Sequence, residues 1–168
     1  MQIMESVAAK ARLLTIAIVL FTLLTGAAQA ATKMPNFALP SVKDGATVKA
    51  SGYQGQAILI NFFATWCPPC RKEIPSLIQL QKEYGPKGFT VIGISTDQGG
   101  PGMVDKFAKK MEINYPVLLS DSETPSLFGG ILGIPTSFLV NREGNVVKRY
   151  DGYVDHQTLV NDLKAILK

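Results

Sequence analysis

Residues 57–63 place the strongest constraint on the fold of this chain. Their sequence is Ala-Ile-Leu-Ile-Asn-Phe-Phe, a nearly continuous apolar run rich in β-branched and aromatic side chains. Apolar residues at successive rather than alternate positions are typical of a strand that is buried on both faces of a sheet. The run therefore predicts a central strand.

A helix is expected soon after this strand. Its apolar residues recur at helical spacing at Ile74, Leu77, Ile78 and Tyr84, and Gly85-Pro86 is a typical end for a helix. The same kinds of pattern predict strands at 89–94, 115–119, 136–140 and 146–150, helices at 103–111 and 122–128, and a last helix capped by Asp155.

This order of elements predicts one α/β domain over residues 31–168. Its mixed sheet should be parallel at first and antiparallel at the end. Residues 33–56 contain turn residues and one alternating piece at 46–49, so we expect an N-terminal extension with a hairpin.

Residues 1–30 have the pattern of a secretory signal peptide. Lys10 and Arg12 precede an apolar stretch at 13–24, and Ala28-Gln29-Ala30 supplies an A-x-A cleavage site. A membrane span needs about 20 apolar residues, so the short stretch favours cleavage after Ala30 over retention as a membrane anchor. We expect a periplasmic or otherwise extracytoplasmic protein, with an uncleaved anchor as the alternative.

The charge of the chain argues against a nucleic-acid partner. The net charge is +4, and Lys10 and Arg12 against Glu5 give residues 1–30 a charge of +1, which leaves +3 for the rest. This mild basicity comes without a run of Lys and Arg or interleaved aromatic residues. Export makes nucleic acid a still poorer candidate.

The cysteines of the chain are Cys67 and Cys70. A bridge between residues this close constrains the unfolded chain very little, so a structural disulfide is a weak explanation. A redox-active dithiol explains the spacing better. A structural zinc site needs four ligands, and only His156, expected at a solvent-exposed helix start, adds a good candidate; we therefore expect no metal and no other cofactor.

The expected position of Cys67 is where the central strand ends and the helix begins. Free backbone N–H groups and the positive end of the helix dipole favour a thiolate there. Pro68 or Pro69 suits the first helical turn. Cys70 lies one turn further, so Cys67 is predicted to attack a substrate and Cys70 to resolve the mixed disulfide.

Two motifs carry a family resemblance: residues 61–75, Asn-Phe-Phe-Ala-Thr-Trp-Cys-Pro-Pro-Cys-Arg-Lys-Glu-Ile-Pro, and residues 133–136, Gly-Ile-Pro-Thr. Together they resemble the TlpA/ResA-like branch of the thioredoxin superfamily over nearly all of the chain after residue 30. The resemblance implies a thioredoxin fold, a mixed central sheet flanked by helices, with an inserted strand–helix unit at about 99–119. It also implies extracytoplasmic dithiol chemistry on protein thiols or disulfides, frequently the reduction of apocytochrome c cysteines before haem attachment.

The resemblance also implies roles for residues around the dithiol. Ile134-Pro135 would be a cis peptide bond facing the cysteines, with the Ile134 backbone free to pair with an extended substrate peptide. Trp66 would form an apolar wall beside the sulfurs, with a core position as the alternative. Pro75 matches a helix-kinking proline. Trp66, Ile134 and Pro135 are therefore predicted to bind substrate.

Asn61 stands where ordinary thioredoxin has a buried aspartate, and an asparagine cannot accept a proton. Glu73 is the nearest carboxylate in sequence and lies one helical turn after Cys70. We predict that Glu73 is the base that deprotonates Cys70, and that partial burial against the sheet raises its pKa toward neutrality. The alternative is an exposed helix carboxylate paired with Arg71 or Lys72.

Four functions are compatible with these residues. The leading hypothesis is a reductase of disulfides in exported proteins that receives electrons from a membrane partner. A peroxiredoxin-like peroxidase is a second, although the chain lacks the proline of a Pro-x-x-x-Thr-x-x-Cys pattern. A disulfide oxidase is a third, because direction depends on the reduction potential. A non-catalytic peptide-binding module is the fourth.

Overall fold

The computed structural model describes residues 32–167, so the predicted signal peptide and its cleavage site at Ala30 lie outside the described residues. The strands are β1 (Ala38–Pro40), β2 (Thr47–Lys49), β3 (Ala57–Phe63), β4 (Phe89–Ser95), β5 (Val117–Leu119), β6 (Thr136–Val140) and β7 (Val146–Asp151). The α-helices are α1 (Pro68–Tyr84), α2 (Pro101–Lys110), α3 (Thr124–Leu127) and α4 (His156–Ile166). Within residues 32–167 no helix is long and apolar enough to cross a membrane.

Five strands form the main sheet in the order β5-β4-β3-β6-β7. β4 runs parallel to β3 and β5 parallel to β4, whereas β6 is antiparallel to β3 and β7 antiparallel to β6. Every residue of β3 and β4 is buried, because structure covers both faces of the sheet. The predicted thioredoxin fold, a mixed sheet flanked by helices, is confirmed.

The two faces of β3 pack into separate layers. Leu59 and Phe63 belong to a cluster that includes buried apolar residues from α1, α2 and α4. Ile58, Ile60 and Phe62 belong to a second cluster, built with the N-terminal extension and with aromatic residues that follow β5. The alternation of side chains along a strand places odd- and even-numbered residues on opposite faces.

The N-terminal extension contains the predicted hairpin, formed by antiparallel β1 and β2. It also reaches both edges of the main sheet. At one edge the Val42 N–H donates to the Val117 carbonyl oxygen at 3.0 Å, and at the other the Val146 N–H donates to the Thr32 carbonyl oxygen at 2.8 Å. The extension is thus part of the packed domain.

The boundaries of two elements differ from the sequence prediction at prolines. α2 begins at Pro101 instead of residue 103, since proline fits the first turn of a helix, where a missing N–H costs nothing. β5 begins at Val117 instead of residue 115, because Pro116 has no N–H to pair with a neighbouring strand. The predicted insertion at 99–119 is present as α2 followed by β5.

Candidate active site

The cysteines lie where β3 ends and α1 begins, as predicted. Cys67 is the N-cap residue of α1, and its Sγ accepts a hydrogen bond from the Cys70 N–H at 3.3 Å. Pro68 and Pro69 fill the first turn. Cys67 and Cys70 form a disulfide with their Cα atoms 5.3 Å apart, and both residues are buried. The structure therefore holds the pair in its oxidised form.

The loop before β6 brings Ile134 to the sulfur atoms. The Ile134-Pro135 peptide bond is cis, as the family resemblance implies. The Ile134 carbonyl oxygen lies 3.6 Å from Cys67 Sγ. Within residues 32–167 the Ile134 N–H has no backbone hydrogen-bond partner. Two residues distant in sequence, Cys67 and Ile134, therefore share one site.

Three loops that supply the site each expose a large apolar side chain. Trp66, next to Cys67, is 70% exposed, so the alternative of a core position is wrong. Leu132 precedes Ile134 by two residues and is 99% exposed, and Tyr153 is 43% exposed. We call Trp66, Leu132 and Tyr153 the apolar rim. Each of these side chains is exposed on a segment adjoining a site residue.

Glu73 lies on α1, one turn after Cys70, and is only 1% exposed. Its Oε2 accepts a hydrogen bond from Asn61 Nδ2 at 2.9 Å, and its Oε1 accepts one from the Val154 N–H at 3.1 Å. Asn61 Nδ2 also donates to Ser137 Oγ at 2.9 Å. The alternative of an exposed helix carboxylate is therefore wrong. Glu73 links α1 to β3 and to the loop before α4.

Burial raises the pKa of Glu73 from 4.5 to about 7, although the hydrogen bonds from Val154 and Asn61 act to lower it. Burial also raises the pKa of the nearby Tyr115 phenol, and the charge of Glu73 adds to that rise. A carboxyl group that titrates near neutral pH has the protonation behaviour that a general base needs. The catalytic role of Glu73 stays a prediction.

Asp97 is a site residue that the sequence analysis missed. It is buried, and its Oδ2 accepts hydrogen bonds from the Thr65 N–H at 2.9 Å and from Ser95 Oγ at 2.8 Å. Its Oδ1 accepts one from Thr65 Oγ1 at 2.7 Å. The available signal was its position after β4, because the carboxyl ends of parallel neighbours such as β3 and β4 lie at the same edge of a sheet.

Ser137 was also missed. It is the register partner of Asn61 across β3 and β6. Both residues are polar positions inside otherwise apolar strands, and buried polar groups need hydrogen-bond partners. That shared property was a signal that the two side chains meet.

His156 is the first residue of α4, and its side chain contacts another helix. It is half-buried, and its Nδ1 lies 2.8 Å from Ser76 Oγ, so the expectation of a solvent-exposed residue is wrong. Its ring contacts α1 because α4 packs against that helix. Across residues 32–167, no group of three or more His, Cys, Asp or Glu side chains is arranged to hold a metal ion.

A disulfide that caps a helix at the end of the central strand, on this fold, defines the class of thiol–disulfide oxidoreductases. Such a pair can exchange electrons with other thiols because the cap position favours the thiolate. The sequence model of the redoxin family matches residues 29–167. The chain belongs to the redoxin family.

Individual relatives agree with this class. The thiol-disulfide oxidoreductase ResA of Bacillus thuringiensis subsp. konkukian is 30% identical over 132 residues, which cover 79% of this chain and 75% of that protein. ResA of Bacillus subtilis is 29% identical over 134 residues, covering 80% and 73%. A solved structure of a thiol:disulfide interchange protein of the thioredoxin family from Chlorobium tepidum TLS is 37% identical, with a TM-score of 0.77 over 84% of this chain and 100% of that chain. The ResA resemblance stated from the two motifs is confirmed.

Proposed function

We propose that this oxidoreductase reduces disulfides in other proteins, with Cys67 as the attacking residue and Cys70 as the resolving residue. The observation that carries the assignment of roles is the hydrogen bond from the Cys70 N–H to Cys67 Sγ at the N-cap of α1. In the reduced protein the same N–H group and the helix dipole stabilise a thiolate at Cys67. Cys70 has a position inside the helix and receives less of this stabilisation.

The reaction transfers two electrons in two exchanges. The Cys67 thiolate attacks one sulfur of the substrate disulfide, that bond breaks, and the second substrate sulfur leaves as a thiolate that takes up a proton. Cys70 then loses its proton and attacks Cys67 Sγ, which releases the first substrate sulfur as a thiolate. The substrate is reduced to a dithiol, and the enzyme ends with the Cys67–Cys70 disulfide.

Glu73 is the proposed base for the second exchange. It follows Cys70 by one turn of α1, and its buried carboxyl group titrates near neutral pH. Residues three apart on a helix lie on the same face, which supports proton transfer from the Cys70 thiol to the carboxylate directly or through one water. Asn61 orients the carboxylate by hydrogen bonding but cannot take the proton.

The proposed substrate is an extended protein segment that carries a cysteine. The unpaired N–H of Ile134 supports this class, since it is free to pair with a substrate backbone next to Cys67. Trp66, Ile134 and Pro135 are the predicted binding residues. The exposed side chains of Leu132 and Tyr153, on loops that adjoin the site, support a polypeptide over a small disulfide as substrate.

The cycle requires a reductant to restore the dithiol. We propose a membrane protein with its own dithiol, which becomes a disulfide as the Cys67–Cys70 bond is reduced. The pattern of residues 1–30 supports export with cleavage after Ala30. Apocytochrome c thiols are the finer substrate proposal, and they rest on the family resemblance. N-terminal sequencing of the protein from an envelope fraction tests export: a first residue of Ala31 supports cleavage, and Met1 on membrane-bound protein supports an anchor.

Trapping experiments test the roles of the cysteines. The Cys70→Ser variant should accumulate mixed disulfides with protein substrates, because the second exchange cannot occur, whereas Cys67→Ser should accumulate none. Equal trapping by both variants would contradict the assignment. Insulin reduction measured beside peroxide consumption separates a reductase from a peroxidase, and activity in neither assay would favour a peptide-binding module.

A further inference from the structure

The loop that carries Cys67 is fixed by a buried group from the neighbouring strand. Asp97 follows β4, and its carboxylate accepts both the N–H and the hydroxyl of Thr65, at 2.9 and 2.7 Å. Ser95 completes the arrangement, since its hydroxyl donates to Asp97 Oδ2 at 2.8 Å and accepts the Asp97 N–H at 3.1 Å. We call Thr65, Ser95 and Asp97 the loop clamp.

Ala64 and Cys67 of this loop are buried in the core. The Cys67 N–H donates to the Ala64 carbonyl oxygen at 3.2 Å, within the loop itself, and the Trp66 side chain is mostly exposed. Thr65 supplies the hydrogen bonds that tie this segment to the residues at the end of β4. Because Thr65 precedes Cys67 by two residues, its position determines where the Cys67 sulfur lies relative to the first turn of α1.

We infer that Asp97 is a positioning residue for the attacking cysteine: through Thr65 it holds the loop so that Cys67 Sγ stays aligned with the Cys70 N–H. The inference rests on the proposed role of Cys67. Hydrogen bonds to an ionised acceptor such as a carboxylate are stronger than those between neutral groups, so a buried aspartate is suited to this task. The clamp does not touch the substrate and acts only through the geometry of the loop.

Thr65→Val is the direct test, because it removes the hydroxyl bond without changing charge and keeps the shape of the side chain. Asp97→Asn is less informative, since it alters the charge near Cys67 and the hydrogen bonds together. The readouts in the reduced full-length protein are the pH profile of Cys67 alkylation, followed by mass spectrometry, and the equilibrium with glutathione. In Thr65→Val we expect alkylation at pH 7 to slow about threefold, the size of a lost helix-terminus interaction.

Two further variants separate positioning from stability. Thr65→Ser keeps the hydroxyl and should retain the wild-type pH profile of Cys67 alkylation. Thr158→Val is the matched control, because Thr158 donates its N–H and hydroxyl to Asp155 at 3.0 and 2.7 Å, the same pair of bonds at the start of α4. This control should lower the melting temperature and leave Cys67 alkylation unchanged.

The outcomes distinguish this inference from the proposed function. A Thr65→Val protein with a lower melting temperature but the wild-type pH profile and glutathione equilibrium would overturn the positioning role. Should Thr65→Val fail to fold, Ser95→Ala weakens the clamp from the β4 side and is expected to slow alkylation in the same direction. Unchanged alkylation there would also overturn the inference. Trapping by Cys70→Ser tests the proposed function independently of all these variants.

Discussion

Alternate residues of β3 meet different surroundings. Ile58, Ile60 and Phe62 face a layer in which aromatic rings pack on one another, with the Phe62 and Phe128 centroids 5.2 Å apart. On the opposite face, Asn61 lies between Leu59 and Phe63 and contacts the buried carboxyl group of Glu73. We call these the aromatic face and the helix face of β3.

The two faces of β3 serve different purposes. The aromatic face buries only apolar groups of β3, which contributes to stability without any polar requirement. The helix face carries an amide and a carboxyl group that must satisfy each other, since an unpaired buried polar group is costly. That pairing holds a titratable group on α1 one turn after Cys70, on the same side of the sheet as the dithiol.

The largest effect is expected from breaking the aromatic face. Phe62 is fully buried, so Phe62→Ala should lower the free energy of unfolding by about 3–5 kcal/mol in chemical denaturation. Thiol exchange without denaturant should stay near the wild-type rate, because Cys67 and Cys70 belong to the other cluster. The milder Phe62→Leu is the variant to use if the alanine protein does not fold. If Phe62→Ala changed the rate of thiol exchange as much as a substitution of Glu73 does, the two faces of β3 would be coupled.

The helix face should make stability depend on pH. The pKa of Glu73 is raised to about 7 in the folded protein, from 4.5. The folded state therefore binds more protons between these values, and stability falls as pH rises from about 4.5 to 7, by roughly 3 kcal/mol. The loss should be complete above pH 7. Denaturation of wild type and Glu73→Gln across this range measures it, and the glutamine variant should lack this part of the slope. If the free energy of unfolding of the two proteins depended on pH in the same way, the pKa of Glu73 would not be raised by folding.

Glu73→Gln should also separate the two exchanges. The first attack by Cys67 should proceed at nearly the wild-type rate, whereas resolution by Cys70 should slow on the order of 10²-fold, the low end for general base catalysis. Stopped-flow measurements under single-turnover conditions follow the two steps separately. Unchanged resolution with wild-type pH dependence would leave Glu73 with a structural role on the helix face.

The smallest effect is expected at the apolar rim, outside both faces. Leu132→Ser should lower kcat/KM for a protein disulfide about fivefold, equivalent to about 1 kcal/mol of lost apolar contact, and leave a small disulfide unaffected. Val147→Ser on β7 is the matched control, since Val147 is also exposed but lies outside the site-forming loops. An equal loss of kcat/KM in Leu132→Ser and Val147→Ser would contradict a role of Leu132 in recognising polypeptides. So would an equal loss of kcat/KM for the protein disulfide and the small disulfide in Leu132→Ser.

The sequence predicted those features that depend on local patterns. β3, α1 and the position of Cys67 follow from a continuous apolar run, helical spacing and the proline-rich first turn. The motif around Pro135 predicted the peptide that faces the dithiol. The clamp by Asp97 and the exposure of Trp66 were not predictable in this way, because they depend on how separate strands and loops meet. Residue type alone favours an exposed glutamate beside Lys72 on a helix, and the burial of Glu73 was expected only from its assignment as the base.

The extension that reaches both edges of the sheet also limits how copies of this protein meet. Unpaired N–H and C=O groups on an edge strand are a template for self-association. Here Val42 pairs with the edge strand β5, and Thr32 pairs with the first residue of β7. Intermolecular pairing at these points would first have to displace the chain's own residues.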